Sequence, residues 1–270
     1  MQQASFFTNN RPLASLSDHE LLALRLCDLD VLKTGVESTW IRPYSDRLRA
    51  ELRRAGLRYV RPHVYFGDEW FSPTGVPAIA VPFYLAHPRL RRLEQVMMRE
   101  VEGGSPLGCM QLLRHEAGHC FDHAYEISCR RDFRQVFGNP PRRYAPDIFL
   151  PDRRSRAHVR HLPGYYAQAH PDEDFAETFA VVITPGEGWR RRYRTWPEAL
   201  AKLTYVQELI RTLGPRRPRA TDGPDSFNAA RMRTTLARHY EKRHASLAAQ
   251  ERAVKRLAER QPLPFASRPV

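Results

Sequence analysis

Apolar positions change their period several times along the chain, and each change predicts an element. Ser17-x-x-Glu20 is a capping-box pattern ahead of "LLALRL", so a short helix is expected there. "YSDRLRAELRRAG" (44–56) is polar with spaced leucines, and Gly56 supplies the usual helix stop. "LRYVRPHVYF" is rich in β-branched and aromatic residues and reads as a strand; "GVPAIAVPFYL" (75–85) reads as a second. Pro77 and Pro82 place that second strand at an edge, because proline gives the ladder no donor. "HPRLRRLEQVMMREVEGG" reads as a helix up to its two glycines. The next helix opens at Ser105-Pro106, an N-cap followed by proline at the first helical position. Met110, Leu113, Ala117, Cys120 and Ala124 recur at three- and four-residue steps and form its buried stripe. Further helices are expected in "DEDFAETFAVVI", in "WPEALAKLTYVQELIRTLG" and, as one or two charged helices, between Phe227 and Arg260.

Two stretches interrupt the pattern. Residues 138–172 hold six prolines and many arginines and read as a long irregular connection, the kind of loop that often carries function. "GPRRPRATDGPD" (214–225) reads as a linker. The expected division is an N-terminal segment (1–27), a main domain (28–213), the linker and a basic helical tail (226–270). The fold class expected is α+β: a small N-terminal sheet packed on a helical body.

Composition narrows the classes. The 270 residues are 42% hydrophobic, which supports a sizeable core and excludes wholesale disorder. There is no run of about 18 apolar residues, so no membrane span is expected. The first residues lack a basic stretch followed by an apolar one, which argues against a secretory signal. Cys27, Cys109, Cys120 and Cys129 form no CxxC pair and read as reduced thiols of a cytoplasmic protein. The net charge is +13, and residues 211–270 carry 14 Lys or Arg against 5 Asp or Glu. That balance invites a nucleic-acid partner for the tail. However, 39 of the 43 basic residues are arginine, a ratio that coding bias also produces. The oligomeric state is not legible.

The chemistry concentrates in "LLRHEAGHCFDHAY" (112–125). Residues four apart on a helix share a face, so His115 and His119 can direct two imidazoles at one ion. Glu116 lies about 100° round the helix, beside the ion rather than on it. This is the HExxH arrangement: two neutral imidazole ligands and a carboxylate poised over metal-bound water. Composition alone would produce roughly 0.03 such motifs in this chain, which sets the pattern apart from two surface histidines. His123 is one more four-step along, but it lies about 12 Å of helix rise from His115 and cannot converge on the same ion. The metzincin extension is absent, because Tyr125 stands six residues beyond His119. Cys120 belongs to the buried stripe.

A third ligand must therefore come from elsewhere. In "GYYAQAHPDEDFAETFA", Glu173-x-x-x-Glu177 places two carboxylates on one face of a later helix. One can bind the metal and the other can accept a hydrogen bond from the far nitrogen of a ligand histidine, fixing its tautomer. Taken alone, Asp172, Glu173 and Asp174 would also suit a helix N-terminus through its dipole.

"LRHEAGH" with "YYAQAHPDEDFAETFA" resembles the bacterial zinc-binding metallopeptidases, a gluzincin-type family. The resemblance runs from about residue 28 to 212, through "FGDEWFSPTGVPAIAVPFYLAHPRL" and "WPEALAKLTYV". The site motifs are also similar to those of the anthrax lethal factor catalytic domain. The resemblance implies a zincin-like domain and one zinc ion held by His115, His119 and Glu173. It also implies Glu177 behind a histidine, and Glu116 and Tyr166 as catalytic groups acting on a peptide or protein. Tyr165 replaces Tyr166 if the register differs by one. The "PAIAVPF" strand would then offer an edge to an extended peptide. Two other classes share features of the chain. One is a zinc hydrolase of non-peptide amides. The other is a basic nucleic-acid-binding protein with a non-catalytic metal site.

Overall fold

The computed structural model describes residues 7–8, 11–139, 144–186, 188–218 and 227–260. Helix α1 (Asp18–Ala23) starts as the capping box requires: the Ser17 hydroxyl accepts from Glu20 N–H and the Glu20 carboxylate accepts from Ser17 N–H. After a single helical turn at Asp30–Lys33 come helix α2 (Arg42–Arg54) and strands β1 (His63–Gly67) and β2 (Ala78–Pro82). The body is completed by α3 (Pro88–Met98), α4 (Pro106–Tyr125), α5 (Arg131–Phe137), α6 (Pro171–Ile183), α7 (Pro197–Leu213) and α8 (Leu236–Arg260). The molecule is mostly helical with a small sheet, as the α+β reading expects. Among the described residues no helix is long and apolar enough to cross a membrane.

Helix α3 stops sooner than its two glycines suggest. Arg99 takes the left-handed conformation (φ 63°) and its N–H closes on Gln95 O at 3.1 Å. Gly103 serves packing instead: a Cβ there would lie 2.7 Å from the Trp70 indole.

The strands pair in parallel, His63 opposite Ala78 and Gly67 opposite Pro82. The connection then passes to the other side of β2, where Phe71 bridges Ala80. Ala80 N–H donates to Phe71 O at 2.9 Å, and Ala78 N–H donates to Val76 O at 2.8 Å. Pro82 has no N–H to give. The outer edge of β2 is thus closed by the chain's own backbone, which corrects the expectation of an open edge for an extended peptide.

The predicted stripe of α4 is buried, with Leu113, Ala117 and Cys120 at 0% exposure. Burial extends much further round this helix than one stripe, taking in Arg114, His115 and Glu116. Arg114 explains one side: it makes a two-pronged ion pair with buried Glu51 of α2, at 2.7 and 2.8 Å. Helix α6 covers another side. The two helices cross so closely at Gly118 that a Cβ there would lie 2.7 Å from Ala176 Cα. Cys120 Sγ–H donates to Ala78 O at 3.3 Å, tying α4 to β2, in keeping with its place in the core.

Behind α8, Ala229, Leu236 and Tyr240 join the main apolar cluster of the body. Leu236 N–H donates to Leu24 O at 2.9 Å, and Arg243 pairs with Glu94 of α3 at 2.5 Å. Residues 219–226, most of the stretch read as a linker, lie outside the described residues, as do 140–143 of the long connection. Up to His170 the described part of that connection runs without a strand or an α-helix, with a 3-10 segment at Pro163–Gln168, and its last two residues open α6.

Candidate metal centre

Local sequence sets the start of both helices that build the site. The Ser105 hydroxyl accepts from Gly108 N–H at 3.0 Å and Pro106 takes the first turn of α4. In α6 the His170 ring nitrogen accepts from Asp172 N–H at 3.2 Å and Pro171 takes the first turn. The close crossing at Gly118 brings the His115–His119 face against Glu173.

His115 Nε2 lies 3.2 Å from His119 Nε2 and 3.0 Å from Glu173 Oε2, and His119 Nε2 lies 3.4 Å from the same oxygen. Four-coordinate zinc with bonds near 2.0–2.1 Å sets neighbouring donors about 3.3 Å apart. The three atoms therefore make a triangle of the right size for one ion, and together they form a group able to hold a metal. His123 is not part of it; its Nδ1 lies 3.4 Å from Ser72 Oγ.

The charges fit a cation as well. Burial pushes the Glu173 carboxyl up, yet the two histidines override it and hold the group well below the usual carboxylate range. Burial opposes charge on His115, but Glu173 and Glu177 outweigh it and raise its pKa. Glu173 Oε2 is buried, and beyond its contacts with the two imidazoles it has no hydrogen-bond partner. A carboxylate oxygen in that position needs positive charge beside it, and a divalent ion satisfies the need with both imidazoles neutral.

Glu177 is fully buried behind the triangle. Its Oε1 lies 2.9 Å from His115 Nδ1 and its Oε2 accepts from Leu162 N–H at 2.8 Å. This carboxylate presents His115 Nε2 to the triangle by holding Nδ1. The three acids at the start of α6 diverge. Glu173 faces the histidines, Asp174 pairs with Lys202 at 2.6 Å, and Asp172 faces the cleft. The helix dipole alone does not account for them.

The triangle opens on a cleft of about 440 Å³ lined by Trp70, Phe71, Ser72, Glu116, Tyr144 and Tyr166 among others. Glu116 is 5% exposed, and its Oε2 has no hydrogen-bond partner. Burial pushes its carboxyl up, with His115 and His119 pulling the other way. The Tyr166 ring stands 5.6 Å from that of His115. Tyr165 instead has a positive φ of 62° and lies under the Arg160 guanidinium, so Tyr166 is the member of the pair in the cleft.

One residue of the cleft escaped the sequence reading. The Tyr144 hydroxyl donates to Glu173 Oε1. It belongs to "NPPRRYAPD", where no period ties it to any helix, so spacing carries no signal for it.

No curated protein and no solved structure matches the chain. Residues 91–185, the segment that carries all three donors, match the model of the family described as "Putative zinc-binding metallo-peptidase", the family that the motifs resemble.

Proposed function

We propose that the protein is a zinc-dependent metallopeptidase of gluzincin type that hydrolyses peptide bonds of a peptide or protein substrate. The observation that carries this reading is the triangle of His115, His119 and Glu173 opening on a cleft beside buried Glu116, whose Oε2 has no hydrogen-bond partner. A structural zinc site has four protein ligands and no open face. Here the described residues supply three, and the fourth direction is the cleft.

Zinc held there supplies a Lewis acid and an acidified water at neutral pH. The protein does the rest. Glu116 takes the proton of the attacking water on a carboxylate oxygen and delivers it to the leaving amine nitrogen. The Tyr166 hydroxyl donates a hydrogen bond to the oxyanion that forms as the scissile carbonyl becomes tetrahedral. Glu177 keeps His115 in the tautomer whose Nε2 is free to bind. The four free cysteines suit a reducing compartment, the cytoplasm.

Elemental analysis of purified wild type and Glu173→Ala tests the site. One zinc per chain is expected in the wild type and a sharply reduced content in the variant. Undiminished zinc in the variant would place the third ligand elsewhere. Glu116→Gln should keep its zinc and lose about 10²- to 10⁴-fold in peptide turnover, the usual share of a general base. A fully active Glu116→Gln protein would remove Glu116 from the mechanism.

A further inference from the structure

Glu173 has a second oxygen that the triangle does not use. Oε2 faces the two histidines, whereas Oε1 accepts a hydrogen bond from the Tyr144 hydroxyl. Glu173 itself is 1% exposed, while Tyr144 is 55% exposed. The tyrosine therefore reaches inward from the rim of the cleft, with only its polar end at the ligand. Two contacts hold it there. Its ring stands edge-on to His170, the N-cap of α6, with centroids 4.9 Å apart. Three residues on, Asp147 Oδ2 accepts from Gln250 Nε2 of α8 at 3.1 Å.

We propose that Tyr144 is a positioning residue for the metal ligand Glu173, its hydroxyl restraining Oε1 so that Oε2 alone is presented to the histidine pair. The inference rests on the metal reading above. A carboxylate with both oxygens free can turn about its last torsion and offer either one oxygen or two. Two oxygens on the ion would fill the direction that the cleft leaves open for substrate. A phenol is suited to prevent this, since it donates one hydrogen bond and its proton stays in place at neutral pH. Outer groups that fix a ligand in this way typically contribute 10- to 100-fold to metal affinity.

Zinc affinity, read by competition with a chromogenic chelator, separates this role from others. Tyr144→Phe keeps the ring against His170 and removes only the hydroxyl. It should bind zinc about 10- to 100-fold more weakly than wild type, while thermal unfolding of the two metal-free proteins nearly coincides, because Glu173 borders the cleft and water can take the phenol's place at Oε1. Tyr166→Phe, which touches no ligand oxygen in this scheme, should keep wild-type affinity. Equal zinc affinity in Tyr144→Phe would overturn the proposal. If KM for a peptide rose at the same time, Tyr144 would belong to substrate binding instead. A wild type that takes up no zinc would bring down the metal reading itself and this proposal with it.

Discussion

Glu177 uses both of its oxygens, one toward His115 Nδ1 and one toward the backbone N–H of Leu162. A carboxylate can do this because it only accepts; an amide cannot, because one of its two ends donates. Glu177→Gln therefore has to give up one contact. If the amide oxygen stays with Leu162, the NH₂ faces Nδ1 and favours the wrong tautomer of His115. If it stays with His115, two donors meet at Leu162. Zinc affinity should fall about 10- to 100-fold, with a loss of thermal stability also present in the metal-free protein, since Leu162 or its new neighbour is left unsatisfied. That second effect distinguishes Glu177→Gln from Tyr144→Phe. Chelator competition and melting of the metal-free protein would check both, and unchanged values in each would remove Glu177 from the site.

At the level of elements, the site depends on how closely α4 and α6 cross. Gly118 stands between the two histidine ligands in sequence, and an added Cβ would meet Ala176 Cα at 2.7 Å and Ala176 O at 3.0 Å. Alanine is the better helix former by about 1 kcal/mol. Here the clash is with backbone, which no rotamer relieves, and overpacking of this kind costs about 1–3 kcal/mol. Gly118→Ala should therefore destabilise the fold in urea unfolding and weaken zinc binding, because it drives the histidine helix away from the glutamate helix. A more stable variant with undiminished zinc would show that the crossing has slack. The same crossing explains what sequence could and could not tell. His115, His119, Glu173 and Glu177 were legible because each pair sits at a four-residue step on a helix, where spacing fixes direction. Tyr166 was legible only through resemblance to a family. Tyr144 was not legible, because an irregular loop has no period to read. The parallel pairing of β1 and β2 escaped as well. It follows from how residues 68–77 cross between the strands, with Phe71 bridging the far side of β2 on the way, and neither strand's own pattern encodes that path.

For the whole molecule, the question is how the basic C-terminal helix belongs to a body that carries the site elsewhere. It docks through few residues: Leu236, His239 and Tyr240 are buried on its first turns, and most of the helix beyond them is exposed. Arg243 adds the charged part of that docking. It pairs with Glu94 of α3 at 2.5 Å, and Glu94 is 1% exposed. Burial pushes the Glu94 carboxyl up and Arg243 pulls it back only in part. This upward shift sets the sign of the pH dependence. A carboxyl raised by folding contributes fully below its unfolded pKa, and that contribution is lost as pH rises through the folded value. Arg243→Ala raises the folded value further and enlarges the loss. The variant should be about 3 kcal/mol less stable near neutral pH, the lower end for breaking a buried pair because the Arg243 side chain keeps some contact with water. The deficit should shrink as pH falls through the raised folded value, because the buried Glu94 carboxyl is then neutral in the folded variant and the missing guanidinium costs less. Adding Glu94→Gln removes the nearest titrating group, so the double variant should differ from Glu94→Gln alone by an amount that changes much less with pH, the remainder coming from Glu69, whose carboxyl burial pushes up and Arg243 also pulls down. Urea unfolding at about pH 8 and about pH 5 reads all four proteins. A deficit for Arg243→Ala that is equal at the two pH values would mean that Arg243 holds the helix by packing over Tyr84 and not by its charge.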